Sequence, residues 1–114
     1  MRLQVKGKNV EVSPSIREYA ERKLAKLSKQ LAEPTQVEVE LWEYKNPSVA
    51  ASHVAEATIF TKGHPLRARE ATSDMRASID GLTEKLMREV KEYHDKRRHE
   101  PRRRVDRSGR DLQA

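Results

Sequence analysis

From Asp74 to Arg98 the chain reads Asp-Met-Arg-Ala-Ser-Ile-Asp-Gly-Leu-Thr-Glu-Lys-Leu-Met-Arg-Glu-Val-Lys-Glu-Tyr-His-Asp-Lys-Arg-Arg. Its large apolar residues, Met75, Ile79, Leu82, Leu86, Val90 and Tyr93, step by four, three, four, four and three. That spacing places them on one face of an α-helix, so the stretch predicts a long helix with a single buried stripe. Lys85, Arg88 and Lys91 fall on the opposite side, and Lys96, Arg97 and Arg98 follow at the end. A helix buried along one side and basic along the other suits phosphate contact. It equally suits an ordinary solvated helix face.

Upstream, Arg2 to Lys6 alternates with Leu3 and Val5 on one side, which predicts a strand ended by Gly7-Lys8-Asn9. Ser13-Pro14 is a helix start, a hydroxyl N-cap followed by proline at the first helical position. Ile16, Ala20, Leu24, Leu27 and Leu31 then share one face, and Glu33-Pro34 is the expected stop. Gln36 to Tyr44 alternates clearly, with Val37, Val39 and Leu41 on one side and Glu38, Glu40 and Trp42 on the other. Further strands are expected over His53 to Thr61 and Leu66 to Ala71, separated by the turn Lys62-Gly63-His64-Pro65. The predicted order is β-α-β-β-β-α. Its apolar faces assemble as an α+β two-layer sandwich, a four-stranded sheet with both helices packed on one face. Trp42 and Phe60 are expected on the other, open face.

Composition bounds the function. The chain has 114 residues, 37% charged and 4% aromatic, with no cysteine. One small aliphatic core is therefore expected, and disulfides, cysteine-based zinc sites and thiol nucleophiles are excluded. No segment approaches the ~20 apolar residues of a membrane span. The chain begins on a strand pattern and not on a signal peptide, so a cytoplasmic protein is the expectation. Net charge is +6, but unevenly placed. Residues 1–95 hold 16 Lys/Arg against 15 Asp/Glu, whereas residues 96–110 hold eight against two. Residues 1–98 are expected to form the domain, and 99–114 a basic disordered tail or the start of a linker. Any anion-binding surface on the domain must come from segregation of charge.

Catalysis finds little support. The four histidines lie in different elements without a helical i, i+4 partner, and no glycine-rich phosphate loop is present. Glu38 and Glu40 share a strand face about 7 Å apart, but a polar sheet face in water explains them. No cofactor or metal is expected. The basic stripes are the better candidates: Arg22, Lys26 and Lys29 at i, i+4, i+7 with Lys23 beside them, and Lys85, Arg88 and Lys91 on the second helix. Packed side by side, the two helices would merge these into one field. Glu18, Glu21, Glu89 and Glu92 interleave and could instead neutralise them in local pairs. Spacing alone leaves both readings open. Trp42 and Phe60 could serve base stacking or a partner surface.

Several blocks resemble the ribosome hibernation promoting factor family, also described as ribosome-associated inhibitors or sigma-54 modulation proteins. They are Gly7 to Val12, Ile16 to Tyr19, Lys23 to Leu27, Asp74-Met75, Ser78 to Leu82 and Glu84 to Leu86. The resemblance covers residues 1 to about 98 in the same element order. It implies a fold like that of double-stranded RNA-binding domains and a non-enzymatic role. It further implies binding to the small ribosomal subunit and its rRNA near the decoding region, which blocks mRNA and tRNA and silences translation in stress or stationary phase. No membrane or small-molecule substrate is implied. Carried over by position, Lys23, Lys26, Lys85, Arg88 and Lys96 match the family's basic residues. Arg22, Lys29 and Lys91 come from face geometry, and Arg97 and Arg98 from the basic end. Glu92 and His94 stand where the family is denser in lysine. Longer members continue into a second domain that pairs ribosomes, so dimerisation is expected to need a C-terminal domain absent from this sequence. The alternatives are a protein-interaction regulator using the outer sheet face and a generic double-stranded RNA binder.

Overall fold

The computed structural model describes residues 1–32 and 35–107, with side chains through residue 96. Strand β1 (Arg2–Gly7) leads to helix α1 (Pro14–Leu24), then strands β2 (Gln36–Glu43), β3 (His53–Phe60) and β4 (Leu66–Thr72), and helix α2 (Met75–Arg107). The β-α-β-β-β-α order is as expected. The strands form one mixed sheet in the order β1-β2-β3-β4, with β1 parallel to β2 and the other pairs antiparallel. Gly63 turns the chain between β3 and β4 at φ 94°, a conformation that a Cβ disfavours.

Both helices cover one face of the sheet. Val37, Val39 and Leu41 meet Ala55, Ala57 and Ile59 there, under Leu24 and Leu27 and under Ile79, Leu82, Leu86 and Val90 of α2. All are buried, as the two periodicities required. Ser13 caps α1, its Oγ accepting from the Ile16 N–H at 3.2 Å. Asp74 caps α2, its Oδ2 accepting from the Ala77 N–H at 3.0 Å.

Three local features differ from expectation. The first helix does not continue as α to Leu31 but tightens to a 3-10 turn over Ala25–Lys29. Three residues per turn bring Leu24 and Leu27 into line, and both are fully buried. The expected stop at Glu33-Pro34 lies outside the described residues. Helix α2 runs on to Arg107, past the expected end near Arg98 and into the segment read as disordered. Lysine, arginine and glutamate favour helix without a face to bury. Loss of the apolar stripe marks where the helix leaves the sheet, and Pro101 interrupts the ladder without ending it. The remaining tail, 108–114, lies outside the described residues.

Trp42 is the third. It sits on the helix-free face opposite Val54, yet is only 7% exposed. The Lys8 ammonium lies 5.0 Å from its ring and the Arg69 guanidinium 5.2 Å. Long cationic side chains thus cover an indole that alternation alone places in water. Phe60 is 46% exposed and pairs with Gln36, six residues along β2 from Trp42, about 20 Å at strand rise. The two aromatics do not form one platform.

Register also decides the sheet edges. The Arg2 N–H bonds to Thr35 O and the Lys8 N–H to Leu41 O. Leu3, Val5 and Gly7 therefore turn their peptide groups to the open edge of β1. The Tyr44 N–H bonds to Ser52 O, and alternation from that pair turns Arg67, Arg69 and Ala71 to the open edge of β4. Each edge has a carbonyl held by a helix cation. Arg17 Nη1 donates to Val5 O, and Lys85 Nζ donates to Arg69 O at 2.8 Å. These contacts blunt both edges against strand addition.

Candidate nucleic-acid interface

The helices α1 and α2 are bridged at two points. Near their start the Tyr19 hydroxyl donates to Asp80 Oδ1 at 2.7 Å, and Lys23 Nζ lies 3.4 Å from the same oxygen. The hydrogen bond to Asp80, then burial and the Asp80 charge, raise the Tyr19 pKa above its ordinary value, partly offset by Lys23 and Arg22. Further on, His94 Nε2 donates to Gln30 O at 2.7 Å, which joins α2 to the end of the 3-10 turn. Beside this second bridge an open groove of about 680 Å³ is lined by Lys29, Met87, Arg88 and Lys91, with Asp95 and the bridging Gln30 and His94. Cations from both helix segments thus face one depression.

The interleaved Glu18, Glu21, Glu89 and Glu92 do not line it, and its three cations outnumber Asp95. Among the described residues, the ion pairs join different elements: Lys23 with Asp80, Arg69 with Glu56, Lys85 with Glu70, and His53 with Glu43. Lys26, Lys29, Arg88 and Lys91 have no described carboxylate within salt-bridge distance. All four are exposed. Their charge is available to a ligand.

The ten sequence candidates separate into groups. Lys29, Arg88 and Lys91 line the groove, Lys26 lies on the adjoining 3-10 turn, and Lys23 is held at the first bridge. Arg22 lies with its guanidinium 5.5 Å from the Tyr19 ring. Lys85 was expected opposite the apolar stripe, but it reaches the other way, to the β4 flank. There its Nζ is 2.6 Å from Glu70 Oε1. The Glu70 side chain lies where a Cβ on Gly81 would stand, 2.6 Å from the nearest atom. The bare glycine thus admits the carboxylate that turns Lys85 away from the groove. Lys96 borders a second depression on that flank with Lys62, His64 and Tyr93. The side chains of Arg97 and Arg98 lie outside the described residues.

One cation escaped the sequence reading. Arg76 lies with its guanidinium 5.4 Å from the Tyr19 ring, beside Arg22 and with Lys23 at 5.6 Å. Its position four residues before Asp80 was the available signal, since that spacing puts it on the side of α2 that meets α1. No described group of three or more His, Cys, Asp or Glu residues could hold a metal, and no described helix is long and apolar enough to cross a membrane.

Known proteins share this fold. Residues 3–98 match the family described as sigma 54 modulation protein / S30EA ribosomal protein. A ribosome hibernation promotion factor from Picosynechococcus is 35% identical over 97 residues, which are 84% of this chain and 50% of that protein. The ribosome hibernation promoting factor of Escherichia coli K12 is 35% identical over 96 residues, 84% of this chain and 96% of that protein. The chain thus spans half of the first relative and nearly all of the second. The crystal structure of the Thermus thermophilus Protein Y N-terminal domain superposes with TM-score 0.69 at 28% identity, covering 82% of this chain and 99% of that one. A ribosomal subunit interface protein from Coxiella burnetii shares the fold at TM-score 0.70 and 22% identity, covering 83% and 99%. With its family match running through nearly all of the packed sheet and helices, the chain belongs to the sigma 54 modulation protein / S30EA ribosomal protein family, which is non-enzymatic.

Proposed function

We propose that this chain is a ribosome hibernation factor. It binds the small ribosomal subunit near the decoding region, contacts rRNA phosphates through the α1–α2 groove, and blocks mRNA and tRNA access by occupying their path. The observation that carries this reading is the set of exposed cations Lys29, Arg88 and Lys91, which line one groove without a described carboxylate in salt-bridge distance, with Lys26 on the adjoining 3-10 turn. The names of the relatives support the ribosome as the target. Expression under stress or in stationary phase is part of the same proposal. So are cytoplasmic location, a domain over 1–98 and a basic segment after it that adds non-specific affinity.

The test is co-sedimentation with purified ribosomes through sucrose at graded salt. Each Lys/Arg–phosphate contact steepens the fall of log affinity with log salt by about 0.7–0.9. Replacing Lys29, Arg88 and Lys91 together with Gln should flatten that slope by about 2–3. Unchanged slope and affinity would sink the groove as the binding surface. A double-stranded RNA competitor distinguishes the generic reading, because naked duplex would then bind as tightly as ribosomes. The protein-interaction reading through Trp42 loses ground to the burial of that ring under Lys8 and Arg69.

A further inference from the structure

Tyr19 gathers three cations around a single ring. Arg22, Lys23 and Arg76 lie 5.5, 5.6 and 5.4 Å from its centroid, so no two of these charged groups are more than about 11 Å apart. Among the described residues, the carboxylate that pairs here is Asp80, and its Oδ1 is already engaged by the Tyr19 hydroxyl and Lys23. Three like charges held this close repel one another, and an anion placed among them relieves that repulsion. The ring face orients the guanidinium groups, so less side-chain freedom is lost when a ligand arrives. Asp74 already takes an amide of the α2 start, which leaves anion binding here to the side chains.

We propose that Arg22, Lys23 and Arg76, organised on Tyr19, form a phosphodiester-binding site that anchors an RNA backbone where α1 and α2 first meet. Arg76 completes the site from α2. The inference rests on the ribosome-binding reading above and extends its surface beyond the groove at Lys29, Arg88 and Lys91. A strand held at both places follows the line of contact between the helices. Tyr19 and Asp80 act as positioning residues, holding the cations and joining the two helices.

The test uses the full chain, its Arg76→Gln and Arg76→Lys variants, and Arg67→Gln on the open sheet face as control. Association with purified ribosomes is measured from low to high potassium chloride, with a thermal melt of each variant to verify folding. Arg76→Gln should flatten the log–log salt slope by about 1 and weaken binding roughly 10-fold near 0.1 M salt. Arg76→Lys should keep the slope, and Arg67→Gln should match the parent chain. If Arg76→Gln binds with the parent's slope and affinity, this site is overturned while the groove reading stands. A parent chain that does not bind ribosomes at all overturns both.

Discussion

Replacing Ser78 with alanine tests how α2 is held at its working height above the sheet. Ser78 is fully buried on the apolar side of α2, where its hydroxyl donates to His53 O at 2.6 Å and meets Thr72 Oγ1 at 2.7 Å. Thr72 Oγ1 also accepts from the Asp74 N–H at 3.1 Å and lies 2.6 Å from Asp74 O. Two hydroxyl protons thus serve three short contacts that tie the end of β4 and the start of β3 to the first turns of α2. Ser78→Ala removes one hydroxyl and leaves its buried partners short of a bond, at a cost of about 1–3 kcal/mol. Alanine's better helix propensity returns about 0.5 kcal/mol, so the net loss should be about 0.5–2.5 kcal/mol. For a domain near this size that lowers Tm by about 2–20 °C. Urea and thermal unfolding followed by circular dichroism measure it. Thr72→Val and the double variant complete a cycle, in which coupling above about 0.5 kcal/mol is expected between residues in one network. A Ser78→Ala chain as stable as the parent, or a strictly additive cycle, would refute the argument.

Leu86 is fully buried between α2 and the sheet, and Leu86→Ala should cost about 2–5 kcal/mol in urea unfolding. Lys85→Ala removes a partly exposed ion pair worth at most about 1 kcal/mol after solvent screening. It also uncovers the Arg69 carbonyl at the β4 edge, so self-association seen by light scattering should rise while ribosome binding changes less than in Arg88→Ala. Tyr19 has a raised pKa, so the stability its protonated hydroxyl contributes is present below the ordinary tyrosine value of 10.0 and lost as pH climbs through the raised folded value. Urea midpoints should therefore fall on the alkaline side above about pH 10, and that component should be absent in Tyr19→Phe.

The elements and their inward faces were legible because their signals are local. Helix α2 declares itself by apolar steps of three and four, β2 by strict alternation, and α1 by Ser13-Pro14. The 3-10 turn was not legible, since Leu24 and Leu27 sit three apart in both α and 3-10 geometry. At the candidate interface, Arg88 and Lys91 could be placed from the helical wheel, because nothing but solvent lies opposite a buried stripe. Lys85 could not. Its direction is set by Glu70, fifteen residues away on another element and admitted by Gly81.

What this sequence determines by itself is periodicity, capping and the balance of charge, and these suffice for an α+β sandwich with basic helices. The tertiary structure alone decides which charges remain available. Asp80 reaches Lys23 and Tyr19 from another helix, Glu70 takes Lys85 from a strand, and Arg69 is shared between Glu56 and the face of Trp42. A carboxylate pairs with whichever cation the packed layers bring within about 4 Å, and neighbours in the chain are only one source of such partners. The groove keeps a positive excess because Glu89 and Glu92, close in sequence, line the depression on the other flank of α2, which leaves Asp95 among the described residues as the acid at its wall.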